Sequence, residues 1–170
     1  MKQKQKSAAG ARVGMNKAIQ SPVFMNGHSK RGLRTQFGAL CFRVVNDKTE
    51  VLLITSRRSG RWIIPKGWPM DEKTPARAAS REAYQEAGIK GKSYQTCLGG
   101  YSYVKILDPT DVLPIMVLVY PIKVKTIVQD YPEAKQRKRK WFSLKKAAKK
   151  ISDPEMGAII RRFDPKLLTY

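Results

Sequence analysis

The chain has 170 residues, 42% of them hydrophobic, enough for one globular domain with a full core and too few for a second of similar size. Its 34 Lys and Arg against 13 Asp and Glu give a formal net charge of +21, so the expected partners are polyanions: a polyphosphate-containing small molecule or, non-specifically, nucleic acid. No apolar run reaches the roughly 18 residues that a membrane-crossing helix needs, and no apolar signal-peptide core is present; the expectation is a cytoplasmic protein with no membrane partner.

Residues 1–33 combine Lys, Gln, Ser, Ala and Gly without apolar periodicity, and no acid precedes Asp47. This composition predicts a mobile basic N-terminal extension, with the domain proper over 34–170. The only histidine, His28, falls in that extension and reads as an incidental surface residue. Phe37 to Val45 (FGALCFRVV) and Val51 to Thr55 (VLLIT) are rich in apolar and β-branched residues, and Asn46-Asp47-Lys48 between them signals a turn, so a hairpin is expected. A short strand, Trp62 to Ile64, then leads through Pro65-Lys66 into Gly67.

The next stretch, Gly67 to Ile89 (GWPMDEKTPARAASREAYQEAGI), reads as loop, helix and loop. Thr74 is a helix N-cap with Pro75 at the first helical position, and Gly88 falls where a left-handed stop belongs. Glu82, Gln85 and Glu86 stand at i, i+3 and i+4 and share one face, while Ala79, Ala83 and Ala87 line the adjacent face and let the helix lie close on a sheet. Two acids near a helix C-terminus oppose the helix dipole, which calls for a compensating positive charge. Carboxylate and amide oxygens without Cys or His suit a hard cation, Mg²⁺ or Mn²⁺.

Beyond this stretch, Tyr94 to Leu107 and Leu113 to Val124 read as two longer strands, with Gly99-Gly100 marking a bulge or a close backbone approach. Asp130 to Phe142 (DYPEAKQRKRKWF) is a loop leading into a short strand. Ser143 opens a helix through Lys150 with Leu144, Ala147, Ala148 and Ile151 as its buried stripe. Ser152 and Glu155 form a capping-box pattern for a last helix, whose Met156, Ile159, Ile160 and Phe163 recur at helical spacing. Cys41 and Cys97 lie in apolar runs and are expected to be free, buried thiols. The elements predict an α/β chain, an α/β/α sandwich around a mixed β-sheet.

The Gly67–Ile89 stretch resembles the signature of the Nudix hydrolases: Gly, five residues, Glu, seven residues, Arg-Glu, an aliphatic, any residue, Glu-Glu, any residue, Gly and an aliphatic. Gly67, Arg81, Glu82, Ala83, Glu86, Gly88 and Ile89 fall on it. Lys73 and Gln85 stand where the pattern has Glu, which makes the motif less negative. The flanks RTQFGALCFR, EVLLITSRRSGRWIIPKG and RKRKWF are similar to the branch that acts on diphosphoinositol polyphosphates and diadenosine polyphosphates. The resemblance implies the sandwich fold and metal-dependent hydrolysis of a phosphoanhydride in a nucleoside diphosphate derivative, dinucleoside polyphosphate or inositol pyrophosphate. It further implies Mg²⁺ or Mn²⁺ held by Glu82, Gln85 and Glu86.

Within that reading the catalytic candidates are Glu82, Glu86 and, from a later loop, Glu133 as a general base. Arg34, Arg57, Arg61, Lys66, Lys105, Arg137 and Arg139 are available to clasp phosphate, with strand alternation placing Arg137 and Arg139 on one side. Gly67, Arg81 and Gly88 read as structural positions, Arg81 as a brace that orients the loop. Two other readings stand beside this one: a catalytically weakened Nudix fold serving as an RNA-binding or regulatory protein, and removal of pyrophosphate from an RNA 5′ end.

Overall fold

The computed structural model describes residues 34–169; the basic extension 1–33 and His28 lie outside the described residues. Among them are eight strands: β1 (Arg34–Val45), β2 (Lys48–Thr55), β3 (Trp62–Ile63), β4 (Lys66–Gly67), β5 (Ile89–Ser93), β6 (Gly99–Asp108), β7 (Asp111–Ile127) and β8 (Arg139–Ser143). Three helices accompany them, α1 (Pro75–Ala87), α2 (Leu144–Lys150) and α3 (Pro154–Arg162). The main path of the sheet runs β3-β2-β1-β7-β5, with β4 on β1, β6 on β7 and β8 on β2. β1 and β7 run parallel while the other pairs are antiparallel, so the sheet is mixed as expected.

Strand alternation divides the core into two layers. Leu40, Phe42, Val51, Leu53, Val117 and Val119 face one side and pack with Ala147, Met156, Ile159 and Ile160 of α2 and α3. Ala39, Cys41, Leu52, Ile54, Tyr120 and Ile122 face the other and pack with Ala76, Ala79, Ala83 and Ala87 of α1. The result is the α/β/α sandwich. The β1–β2 turn forms because Asn46 and Asp47 both accept positive φ (49° and 58°), the backbone that a two-residue hairpin loop demands. Helix α1 begins and ends where the sequence places it: Thr74 accepts a hydrogen bond from Arg77 N, and Gly88 has φ 66°.

Four local expectations need correction. The run Tyr94–Leu107 is not one strand. Two strands, β5 and β6, follow one another along β7, and the chain between Ser93 and Gly99 leaves the ladder, tied back through Tyr94 N to Pro121 O and Leu98 N to Val119 O. Cys97 lies on that detour and is exposed, whereas Cys41 is buried in β1. Register breaks fall at Lys90/Gly91 and Ile106/Asp108 rather than at the Gly99-Gly100 pair. The capping box at Ser152 and Glu155 does not form: Asp153 is the N-cap of α3 without a side-chain bond, because Ser152 Oγ donates to Trp62 O and Glu155 accepts from Ser102 N. Both side chains bind α3 to the sheet instead of closing its first turn.

Candidate active site

Two residues of backbone, Lys66 and Gly67, are drawn onto the sheet edge of β1 by the pairs Gly38↔Lys66 and Phe37↔Gly67, directly under the acidic face of α1. A Cβ added at Gly67 would lie 2.3 Å from Glu82 Cδ, so the absence of a side chain is what lets the Glu82 carboxylate rest against the strand. One turn further along α1, Glu86 Oε2 accepts from Lys66 N at 3.3 Å and Glu86 Oε1 accepts from Arg137 Nη2 at 3.0 Å. Glu133 arrives from the loop before β8, fixed to the helix by Glu133 N donating to Gln85 O at 3.1 Å, and its Oε2 accepts from Arg137 Nε at 2.5 Å. The third nitrogen of that guanidinium, Nη1, donates to Thr55 O at 3.1 Å. Side-chain exposure of 6% for Arg137, 11% for Glu86 and 12% for Glu133 makes this a buried ion triad, where removal of one partner leaves an uncompensated charge.

Burial dominates the electrostatics. It pushes the Glu86 carboxyl up to about 7, against the opposing pull of Arg137 and of the Lys66 ammonium and with a smaller push from Glu133. It raises Glu82 as well, with Arg81 pulling the other way. Burial lowers Lys66, and the carboxylates of Glu86 and Asp153 only partly offset it. The Lys66 Nζ stands 5.1 Å over the ring of Tyr103, whose hydroxyl donates to Gln36 Oε1 at 2.9 Å and is itself pushed up to about 12 by burial. Behind it, Tyr101 is buried and its hydroxyl has no hydrogen-bond partner among the described residues. The site thus places two carboxyl groups and an ammonium, all with perturbed proton affinity, around one short piece of backbone.

The family model for the NUDIX domain matches residues 34–163. The chain belongs to the Nudix family. It is 33% identical over 124 residues to human diphosphoinositol polyphosphate phosphohydrolase 3-alpha, covering 72% of this chain and 71% of that protein. It is also 33% identical over 124 residues to rat diphosphoinositol polyphosphate phosphohydrolase 2, where the match covers 65% of the relative, so the chain spans a little under two thirds of that protein's length. Among solved structures, a C. elegans Ap4A hydrolase in a binary complex aligns with a TM-score of 0.56 at 23% identity, over 75% of this chain and 93% of that one. The MutT protein from Methanosarcina mazei aligns with a TM-score of 0.59 at 19% identity, over 81% and 96%. These likenesses establish the Nudix fold.

Of the Nudix motif positions, Gly67, Glu82 and Glu86 are brought together, and Gly88 ends the helix. Gln85 is half-buried and serves the site through its backbone carbonyl. Lys73 is exposed in the loop before α1. Arg81 is exposed, and among the described residues its one hydrogen bond is Nη1 to Met70 Sδ at 3.5 Å, a contact to the loop ahead of the helix.

The seven candidate phosphate ligands separate into groups. Arg57 and Arg61 are exposed on the β2–β3 turn, where Arg57 donates to Gln136 Oε1 at 3.3 Å and lies 3.8 Å from Glu133 Oε1. Arg34 lines a cavity of about 310 Å³ with Trp68, Leu107 and Leu113, and Lys105 Nζ stands 6.0 Å over the Trp68 ring. Arg137 and Arg139 do not form the paired clasp that strand alternation suggested. Arg137 lies before β8 and is spent on the two acids. Arg139 Nη1 donates to Ala87 O at 2.6 Å and Val128 O at 2.8 Å, and thereby caps the carbonyl end of α1. The positive charge called for at the end of this helix is supplied by these two arginines, and the i,i+4 spacing of Glu133 and Arg137 was the visible trace of it.

The oxygen-only donor set has the chemistry of a Mg²⁺ or Mn²⁺ site. Glu82 and Glu86 are the side chains that would hold the ion; among the described residues no third His, Cys, Asp or Glu joins them in a metal-binding group, and the Arg137 guanidinium bridges Glu86 and Glu133.

Proposed function

We propose that this Nudix chain hydrolyses a phosphoanhydride bond in a highly charged small molecule, a dinucleoside polyphosphate or an inositol pyrophosphate. The observation that carries the reading is the seating of Glu82 and Glu86 against Lys66 and Gly67, with Lys66, Arg57 and Arg61 supplying positive charge nearby. The names of the relatives, phosphohydrolases of diphosphoinositol polyphosphates, support the same bond type and substrate class.

In the proposed reaction, water adds to one phosphorus, the bridging P–O bond breaks, and the bridging oxygen departs with the other phosphoryl group. The water proton passes to a carboxylate. Glu82 is suited to take it, since among the described residues it accepts no hydrogen bond and burial raises its proton affinity. Glu133 remains the second candidate base. Lys66, buried and only partly balanced by the Glu86 carboxylate, offsets the negative charge that builds on the phosphate oxygens. Mg²⁺ or Mn²⁺ is the ion these donors favour, and when bound it would neutralise phosphate charge.

The test is a panel of dinucleoside polyphosphates, inositol pyrophosphates and 5′-triphosphorylated RNA incubated with Mg²⁺ or Mn²⁺, with products identified to locate the broken bond. Turnover of the small molecules supports the proposal. Turnover confined to RNA 5′ ends moves the activity to pyrophosphate removal from RNA, and salt-sensitive RNA binding with no turnover of any substrate refutes the enzyme reading in favour of a binding protein.

A further inference from the structure

The guanidinium of Arg137 is held on three sides: Nε by Glu133 Oε2, Nη1 by Thr55 O and Nη2 by Glu86 Oε1. Arg57, also close to Glu133, has a side chain 59% exposed, against 6% for Arg137, so only one of the two is built into the site. Both oxygens of Glu86 are engaged, one by Arg137 and the other by Lys66 N. Of the three acids, only Glu82 has both oxygens free of hydrogen bonds among the described residues. A divalent ion bound through Glu86 would compete with Arg137 for Oε1 and would sit beside a fixed positive charge. An arginine has no neutral form into which it can retreat. The ion and the guanidinium therefore oppose one another at Glu86.

We propose that Arg137 is the resident cation of this carboxylate site, and that a divalent ion held by Glu82 and Glu86 displaces the guanidinium as it binds. The inference rests on the reading of Glu82 and Glu86 as the cation-holding face of α1. The displacement is local, because Arg137 precedes β8 and carries no pairing in the sheet. Once released, its planar fork is free to engage a phosphate bidentately, a role that it cannot fill while it is bonded to the two acids. Arg137 thus sets the affinity for the ion and couples its uptake to the presentation of a phosphate ligand.

The experiment measures Mn²⁺ binding by electron paramagnetic resonance of the full chain and of Arg137→Gln, without substrate. The expected result is weak binding by the natural protein and a Kd lower by at least about tenfold in the variant. Equal affinity overturns the proposal. Loss of the counter-charge to two buried acids threatens the fold of Arg137→Gln, so the natural chain provides an independent arm. With ¹⁵N-labelled arginine, the Nε–H resonance of Arg137 should shift or broaden as Mg²⁺ is raised, because the bond to Glu133 is given up; a resonance that stays in place overturns the proposal. Neither arm reads turnover. A chain that binds Mn²⁺ as expected and cleaves no phosphoanhydride would refute the proposed activity and leave the role of Arg137 standing.

Discussion

Gly67→Ala perturbs the site while asking little of the rest of the fold. Gly67 is not among the residues with positive φ, so its backbone admits a methyl group. The space does not. The new Cβ would stand 2.3 Å from Glu82 Cδ and 2.6 Å from each carboxylate oxygen, so the carboxylate must retreat by about 1.1 Å to reach the 3.4 Å at which ordinary contact begins. Because that group is the end of a flexible side chain, the strain is that of an off-rotamer torsion, about 0.5–1.5 kcal/mol. For a chain of this size that lowers Tm by a few degrees, roughly 2–4 °C per kcal/mol. A displacement of about 1 Å in a positioned group costs on the order of 100-fold in rate, or about 2.7 kcal/mol of barrier. Steady-state product release and thermal unfolding of the same preparation separate the two effects. The expected outcome is a kcat reduced by about two orders of magnitude in a folded protein. A kcat equal to that of the natural chain would refute the positional role of Glu82, and a collapse of Tm would show that Gly67 serves the fold instead.

Three further expectations follow from the same geometry. In Gly88→Ala the left-handed backbone and contacts of 2.6 Å to Tyr131 Cδ1 and Val128 O and 2.7 Å to Arg139 Nη1 act together; the loss should exceed about 2 kcal/mol in denaturant unfolding, and a midpoint unchanged from the natural protein would show that the α1 stop relaxes freely. Burial raises Glu86 from 4.5 to about 7, so the folded chain binds more protons than the unfolded chain between those values. The stability from this group is complete below its unfolded pKa and is lost as pH rises through about 7, at most about 3 kcal/mol, and Glu86→Gln should remove that part of the decline when unfolding curves are compared across pH. Cys41, buried and pushed up to about 12, should resist alkylation in the folded protein while exposed Cys97 reacts, and peptide mapping that finds Cys41 modified without denaturant would contradict the packing of β1.

Much of the architecture was legible because it is written in local patterns. The Thr74 cap, the Gly88 stop, the Asn46-Asp47 turn and the alanine stripe of α1 each depend on neighbours within a few positions. So does the common face of Glu82 and Glu86. What escaped the sequence depends on partners far along the chain. Ser152 and Glu155 match a capping box, yet Trp62 and Ser102 claim them. Ile89–Ser93 is a strand despite its glycine and lysines because β7 offers it a ladder, with Gly91 so close to Lys123 O that a Cβ there would lie 2.2 Å away. Arg137 reads as one more cation in a basic run, and only the fold reveals that Thr55, Glu86 and Glu133 converge on it.

The long strand β7 also governs the order in which the molecule can be made. It carries β1, β5 and β6, and its parallel pairing with β1 joins residues roughly 80 positions apart, such as Arg34 and Ile115, the kind of contact that slows folding. When the ribosome finishes α1 at Ala87, only the strands β1 to β4 are at hand to receive the helix. The β5 and β7 part of its seat is not complete until residue 127. At about 5–20 residues per second that interval lasts roughly 2–8 s, during which the apolar side of α1 is incompletely covered. A chaperone that protects this nascent chain would therefore meet it with the carboxylate helix already synthesised and the arginines that neutralise it still to come.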